Sequence, residues 1–111
     1  MWLLDVNLPN GLRHILAKYG HNAETTVFRG WRDLGNGVLA AAAHQAGFRV
    51  ILTRDRLFGE SAGRALKSFS DLGVVILKIS QSREVNYLQE FEKQWALKPI
   101  RPVPGQVIEW P

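Results

Sequence analysis

The chain has 111 residues, is 46% hydrophobic and carries a formal net charge of +4. That length and apolar content fit one globular domain and exclude a disordered chain. No run reaches the roughly eighteen apolar residues that span a membrane, and the absence of cysteine excludes disulfides and thiolate metal sites.

The first element is an apolar run without alternation, Trp2–Asp5, as expected for a central strand covered on both faces. Asn7 is placed to cap a helix and Pro9 falls in its first turn, where a missing N–H costs nothing. Leu8, Leu12, Ile15, Leu16 and Tyr19 form its apolar face, and Gly20 stops it. His21–Phe28 reads as a second strand, and residues 29–35 as a loop. Asn36 can cap a second helix that runs to about Ala46, with an alanine-rich face suited to close packing. Arg49–Thr53 is a third strand, with Asp55 just past its end. A short helix follows from about Ser61 to Ser68, then a fourth strand, Gly73–Ile79. Ser82 is placed to cap a last helix that runs to about Ala96. The tail from 97 to 111 holds four of the five prolines, and Gln106–Trp110 is a candidate edge strand.

Strands alternating with helices predict an α/β domain over residues 1–111, a three-layer α/β/α sandwich with a mainly parallel sheet. Right-handed crossovers would put helices on both faces, and loops at the strand C-terminal ends would form the site. The grammar of the first strand recurs once. The run that ends at Asp5 (M-W-L-L-D) and Arg49–Asp55 (R-V-I-L-T-R-D) are both apolar runs that stop on a carboxylate. If these strands are parallel neighbours, Asp5 and Asp55 open into one crevice.

Two carboxylates about 4 Å apart at an effective dielectric of about 20 repel by on the order of 4 kcal/mol. The pair must then share a proton or hold a cation. Mg²⁺ or Mn²⁺ suits hard oxygen donors and needs only one or two carboxylates, and such an ion can activate water against a phosphodiester. Asn7 and Thr53 can orient a carboxylate or a metal-bound water. Arg54 and Arg56 flank Asp55 and can hold phosphates. Trp31, between Arg29 and Arg32, can stack an unpaired base or anchor its loop. An Asp after a strand also serves as a helix cap or turn residue. The basic excess suits nucleic acid and equally an ordinary solvated surface.

Three stretches carry a family resemblance: L-L-D-V-N-L-P at Leu3–Pro9, G-W-R-D-L-G-N-G at Gly30–Gly37 and A-G-F-R-V-I-L-T-R-D at Ala46–Asp55. Together they resemble the PIN-like domains of bacterial toxin–antitoxin type, small proteins similar to VapC-type ribonucleases. The resemblance spans roughly residues 2 to 80. It implies a parallel α/β/α sandwich, an acidic cluster binding Mg²⁺ or Mn²⁺ through Asp5 and Asp55, and hydrolysis of RNA. Asn7, Asn36 and Thr53 would be the neutral helpers. It also implies a cognate antitoxin, and homodimers are common in the family. Three positions depart from the pattern: Val6 replaces the acid of D-E-N, Val38 an acid of the N-G-[E/D]-L motif, and Leu57 an acid or Asn after the T-x-D aspartate. The same fold kept as an RNA- or protein-binding module is therefore an alternative.

A receiver-like phosphoacceptor domain is a further alternative. Asp5, Asp55, Ser80 and Lys98-Pro99 mimic its arrangement, but the acidic pair after the first strand is missing and Lys98 follows a helix. No basic leader or cleavage site follows Met1, and with the lack of cysteine this points to the cytoplasm.

Overall fold

The apolar runs become strands buried on both faces, joined through helices that return the chain to the same edge. The computed structural model describes all residues from Met1 to Pro111, Gly59 as to its backbone only. The strands are β1 (Trp2–Leu4), β2 (Ala23–Thr25), β3 (Val50–Thr53), β4 (Gly73–Leu77) and β5 (Val107–Trp110). The helices are α1 (Leu12–Lys18), α2 (Asn36–Gln45), α3 (Arg56–Ala65) and α4 (Glu84–Leu97). All five strands are parallel, in the order β2-β1-β3-β4-β5. The expected edge strand in the tail is therefore present, beside β4.

Alternation along each strand divides the core in two. Leu4, Leu52, Val75 and Leu77 face α1 and α4, meeting Leu12, Leu16, Tyr87, Phe91 and Trp95. Leu3, Ile51 and Val74 face α2 and α3, meeting Leu39, Ala43, Phe58 and Leu66. The molecule is thus a three-layer α/β/α sandwich. Among the described residues no helix is long and apolar enough to cross a membrane.

One expectation about the crossovers fails. Helix α4 shares a face with α1 rather than with α3, so the β4–α4–β5 crossover has the opposite hand to β3–α3–β4. The right-handed preference belongs to compact strand–helix–strand units. Here nine residues separate α4 from β5, and they carry the chain from one face around the sheet edge. Ile100 is buried against the α1/α4 face, and the Gly105 amide then bonds the Leu72 carbonyl at 2.9 Å. Gly105 has φ +76°, and a Cβ there would meet the Ser70 carbonyl oxygen at 2.9 Å, so this passage requires glycine.

Helix boundaries also shift. Helix α1 begins at Leu12 rather than at Pro9, with Gly11 as its cap residue. Gly11 sits against Leu88, whose Cδ1 would lie 2.6 Å from any Cβ there, so helix and turn approach closely. Helix α3 starts at Arg56, five residues before the expected Ser61. Helix α4 is preceded by Arg83 in the cap position rather than Ser82, and Lys98 is its C-cap. Strand β2 ends at Thr25, three residues before Phe28, because the Thr25 hydroxyl accepts from the Phe28 N–H (3.0 Å) and turns the chain.

The tail is locked by Trp110. Its ring lies 5.1 Å from Phe91 and 6.3 Å from Trp95, and its Nε1 donates to the Lys98 carbonyl at 2.8 Å. Trp110→Ala should destabilise the fold by about 3–5 kcal/mol, the cost of a large buried aromatic. Urea unfolding checks this, and a loss below about 1 kcal/mol would show that the tail is an appendage.

Candidate active site

Parallel pairing sets Leu4 of β1 opposite Leu52 of β3, and the Asp5 N–H donates to the Leu52 carbonyl at 2.9 Å. The residues after the two strands therefore emerge side by side. In this strand order β1 and β3 are the topological switch point, where neighbouring connections leave in opposite directions and open a crevice.

Thr53 is fully buried at that point. Its hydroxyl donates to Asp5 Oδ2 at 2.8 Å. It accepts from the Asp55 N–H at 3.0 Å and, at the long limit of 3.5 Å, from Asn7 Nδ2. One proton and two lone pairs are thus all used. The other Asp5 oxygen accepts from the Val6 N–H at 2.8 Å. A carboxylate has about four lone-pair sites, so both oxygens keep capacity for a further ligand.

Asn7 is not the helix cap that its position suggests. Its Oδ1 accepts from the Arg54 N–H and its carbonyl from Arg54 Nη1, both at 3.2 Å. It clamps the two strand ends together, which is why α1 starts later. Arg54 is held further by Tyr87, whose ring centre lies 5.7 Å from the guanidinium carbon. Tyr87 is buried, its phenol is pushed up to about 12 by desolvation, and its hydroxyl has no partner among the described residues.

Asp55 takes a second role. Its Oδ1 accepts from the Leu57 N–H at 2.9 Å and caps α3. The alternative of a helix cap is therefore realised, and it accounts for the early start of α3. Capping occupies one oxygen of an exposed carboxylate.

The other expected residues disperse. Asn36 is the first residue of α2, and no hydrogen bond joins it to Thr53 among the described residues. Arg56 lines a separate cleft over β4 and β5 with Ile76 and Val107. Arg29 pairs with Glu24 and lies over both Trp31 and Phe48. Trp31 is half-buried and meets Phe48 edge-on at 6.0 Å, which anchors its loop. Arg32 is exposed on that loop. Neither Arg29 nor Trp31 joins the crevice. Lys98, at the end of the return helix α4, is not placed after a fifth strand as a receiver-like lysine would be.

Instead, Asp5 opens into a cleft of about 500 Å³ whose walls include Val6, Leu8, Arg13, Val27 and Phe28. Arg13 and Phe28 were not legible as site residues. Arg13 reads as an ordinary helix-surface charge, and Phe28 as the end of a strand that in fact stops three residues earlier.

Among the described residues no group of three His, Asp or Glu side chains gathers to hold a metal. Asp5 and Asp55 are the carboxylates at this sheet edge that could hold a hard cation keeping most of its waters, and two carboxylates make no closed protein cage. No protein family, curated protein or solved structure matches the chain.

Substitution should separate the cap at Asp55 from the buried hydroxyl of Thr53. Asp55→Ala should cost about 0.5–2 kcal/mol, while Asp55→Asn, which keeps the cap, should be nearly neutral. Thr53→Val should cost about 1–3 kcal/mol because it strands the Asp55 N–H. Chemical denaturation of the three variants checks this. Equal costs for Asp55→Ala and Asp55→Asn would remove the capping role.

Proposed function

We propose that the chain is a PIN-like, metal-dependent endoribonuclease, the toxin of a toxin–antitoxin pair, that hydrolyses RNA phosphodiesters at the β1–β3 crevice. The observation that carries this reading is the Asp5 carboxylate, oriented at the switch point by the Thr53 hydroxyl and the Val6 N–H with lone pairs to spare. The resemblance of Leu3–Pro9 and Ala46–Asp55 to PIN-like motifs supports it. Asp5 and the remaining oxygen of Asp55 would hold Mg²⁺ or Mn²⁺. When bound, such an ion supplies an activated water and neutralises charge on the phosphoryl oxygens.

The chain's own residues supply the rest. Thr53 fixes the carboxylate rotamer through a buried hydrogen bond, so no reorganisation is needed at the moment of reaction. Arg54, tethered by Asn7 and backed by Tyr87, is a pre-positioned cation for a substrate phosphate.

A second reading, the same fold as an RNA- or protein-binding module, is favoured by three exposed side chains. Val6, Val38 and Leu57 are 44%, 60% and 69% exposed at the positions where the resemblance calls for acids or an Asn. Single-stranded RNA incubated with Mg²⁺ or Mn²⁺ distinguishes the two readings. Nuclease activity predicts cleavage that EDTA abolishes and that Asp5→Asn lowers by on the order of 100-fold. Intact RNA in both metals, with wild type and Asp5→Asn alike, would leave the binding module. A cognate antitoxin should suppress the cleavage.

A further inference from the structure

We propose that the cleft beside Asp5 takes one unpaired nucleobase of the RNA strand, stacked on Phe28, with an adjacent phosphate reaching Arg13. The proposal deepens the ribonuclease reading above and rests on it. The cleft has the volume of a small-ligand site, about 500 Å³. Val6, Leu8, Val27 and Phe28 make its walls apolar, while Asp5, Asn10 and Arg13 supply polar groups around them. That combination matches a flat π-face with hydrogen-bonding edges, carried on a charged backbone.

Phe28 is 75% exposed, and its exposure is built into the fold. Its N–H is held by the Thr25 hydroxyl at 3.0 Å. The Gly30 N–H bonds the Val27 carbonyl at 3.1 Å, and the Trp31 N–H bonds the Thr26 carbonyl at 2.9 Å. Thr26 is buried beneath this turn, and Trp31 packs on Phe48 beyond it. The aromatic ring is thus offered to solvent by a loop anchored on both sides. Arg13 spends its Nε on the Ala23 carbonyl (3.3 Å), which fixes the side chain across β2. Its side chain makes no other hydrogen bond among the described residues, so its Nη groups remain for a phosphate. A peptide could also cover apolar walls, but a guanidinium and a carboxylate in the same cleft as an exposed ring favour a nucleotide.

The test is an anisotropy titration of a labelled single-stranded RNA hexamer in EDTA, where cleavage does not contribute. Wild type, Phe28→Ala, Phe28→Tyr and Arg13→Ala are compared, each also against a hexamer of abasic ribose phosphates. Loss of one base–aromatic stack predicts that Phe28→Ala binds the hexamer roughly tenfold or more weakly, and that Phe28→Tyr binds within about twofold of wild type. The abasic strand should bind wild type and Phe28→Ala equally weakly, and Arg13→Ala should weaken both strands. Equal hexamer binding by wild type and Phe28→Ala overturns the proposal. So do abasic binding as tight as that of the intact strand, failure of wild type to bind RNA, or a Phe28→Ala effect confined to self-association in sedimentation. Phe28-dependent binding without any metal-dependent cleavage would remove the nuclease reading and keep the base pocket. Cleavage that needs Asp5 but is indifferent to Phe28 would do the reverse.

Discussion

One buried hydroxyl organises the C-terminal edge of the sheet. Thr53 Oγ1 joins the carboxylate that follows β1, the amide of the residue that caps α3, and the side chain of Asn7. Because Thr53 has no exposed surface, an unmade bond there would leave a polar group stranded in the core. The parallel β1–β3 register therefore does two things at once. It completes the centre of the sheet, and it aims Asp5 out of the crevice. Arg54 follows from the same register, since both of its bonds to Asn7 depend on the strand ends lying side by side.

The sheet and its crevice were legible in the chain because apolar runs without alternation have few other fates. The pairing of Leu3–Asp5 with Leu52–Asp55 could be anticipated from their shared grammar, and so could the edge strand at the end of the tail. What the chain concealed was the competition for polar side chains. Asn7 has a cap residue's identity and position, yet its amide is used across strands 46 residues apart. Asp55 has a metal ligand's identity and caps a helix. Each such choice depends on long-range neighbours, which spacing does not encode. The hand of the last crossover was hidden for the same reason: it depends on the tail's path under Leu72 and on the burial of Ile100 and Trp110, not on local propensity. Phe28 escaped notice because the β-branched run Thr25–Val27 with an aromatic after it reads as strand, while the Thr25 hydroxyl turns the chain before it.

The crevice sets a well-oriented carboxylate beside apolar side chains. Val6 lies beside Asp5, and Val38 and Leu57 lie in the first turns of α2 and α3, all exposed. Fewer acids lower the charge that a cation would see, and so lower its affinity. Under the proposed nuclease reading, a Mg²⁺ or Mn²⁺ ion held there by so few carboxylates would keep most of its waters. Arg54, tethered to Asn7, and Arg13, tethered to Ala23, are positive charges near this edge.

The claim on which this account turns is that Asp5 is the point where a divalent cation enters the fold. Titrating Mn²⁺ into ¹⁵N-labelled protein and following paramagnetic broadening of the amide signals measures this directly. The account predicts that the amides of Val6, Asn7, Arg54 and Asp55 broaden first, and that Asp5→Asn abolishes the effect. Broadening that starts elsewhere, such as around the exposed His44–Asp71 pair (2.7 Å), and persists in Asp5→Asn would contradict it.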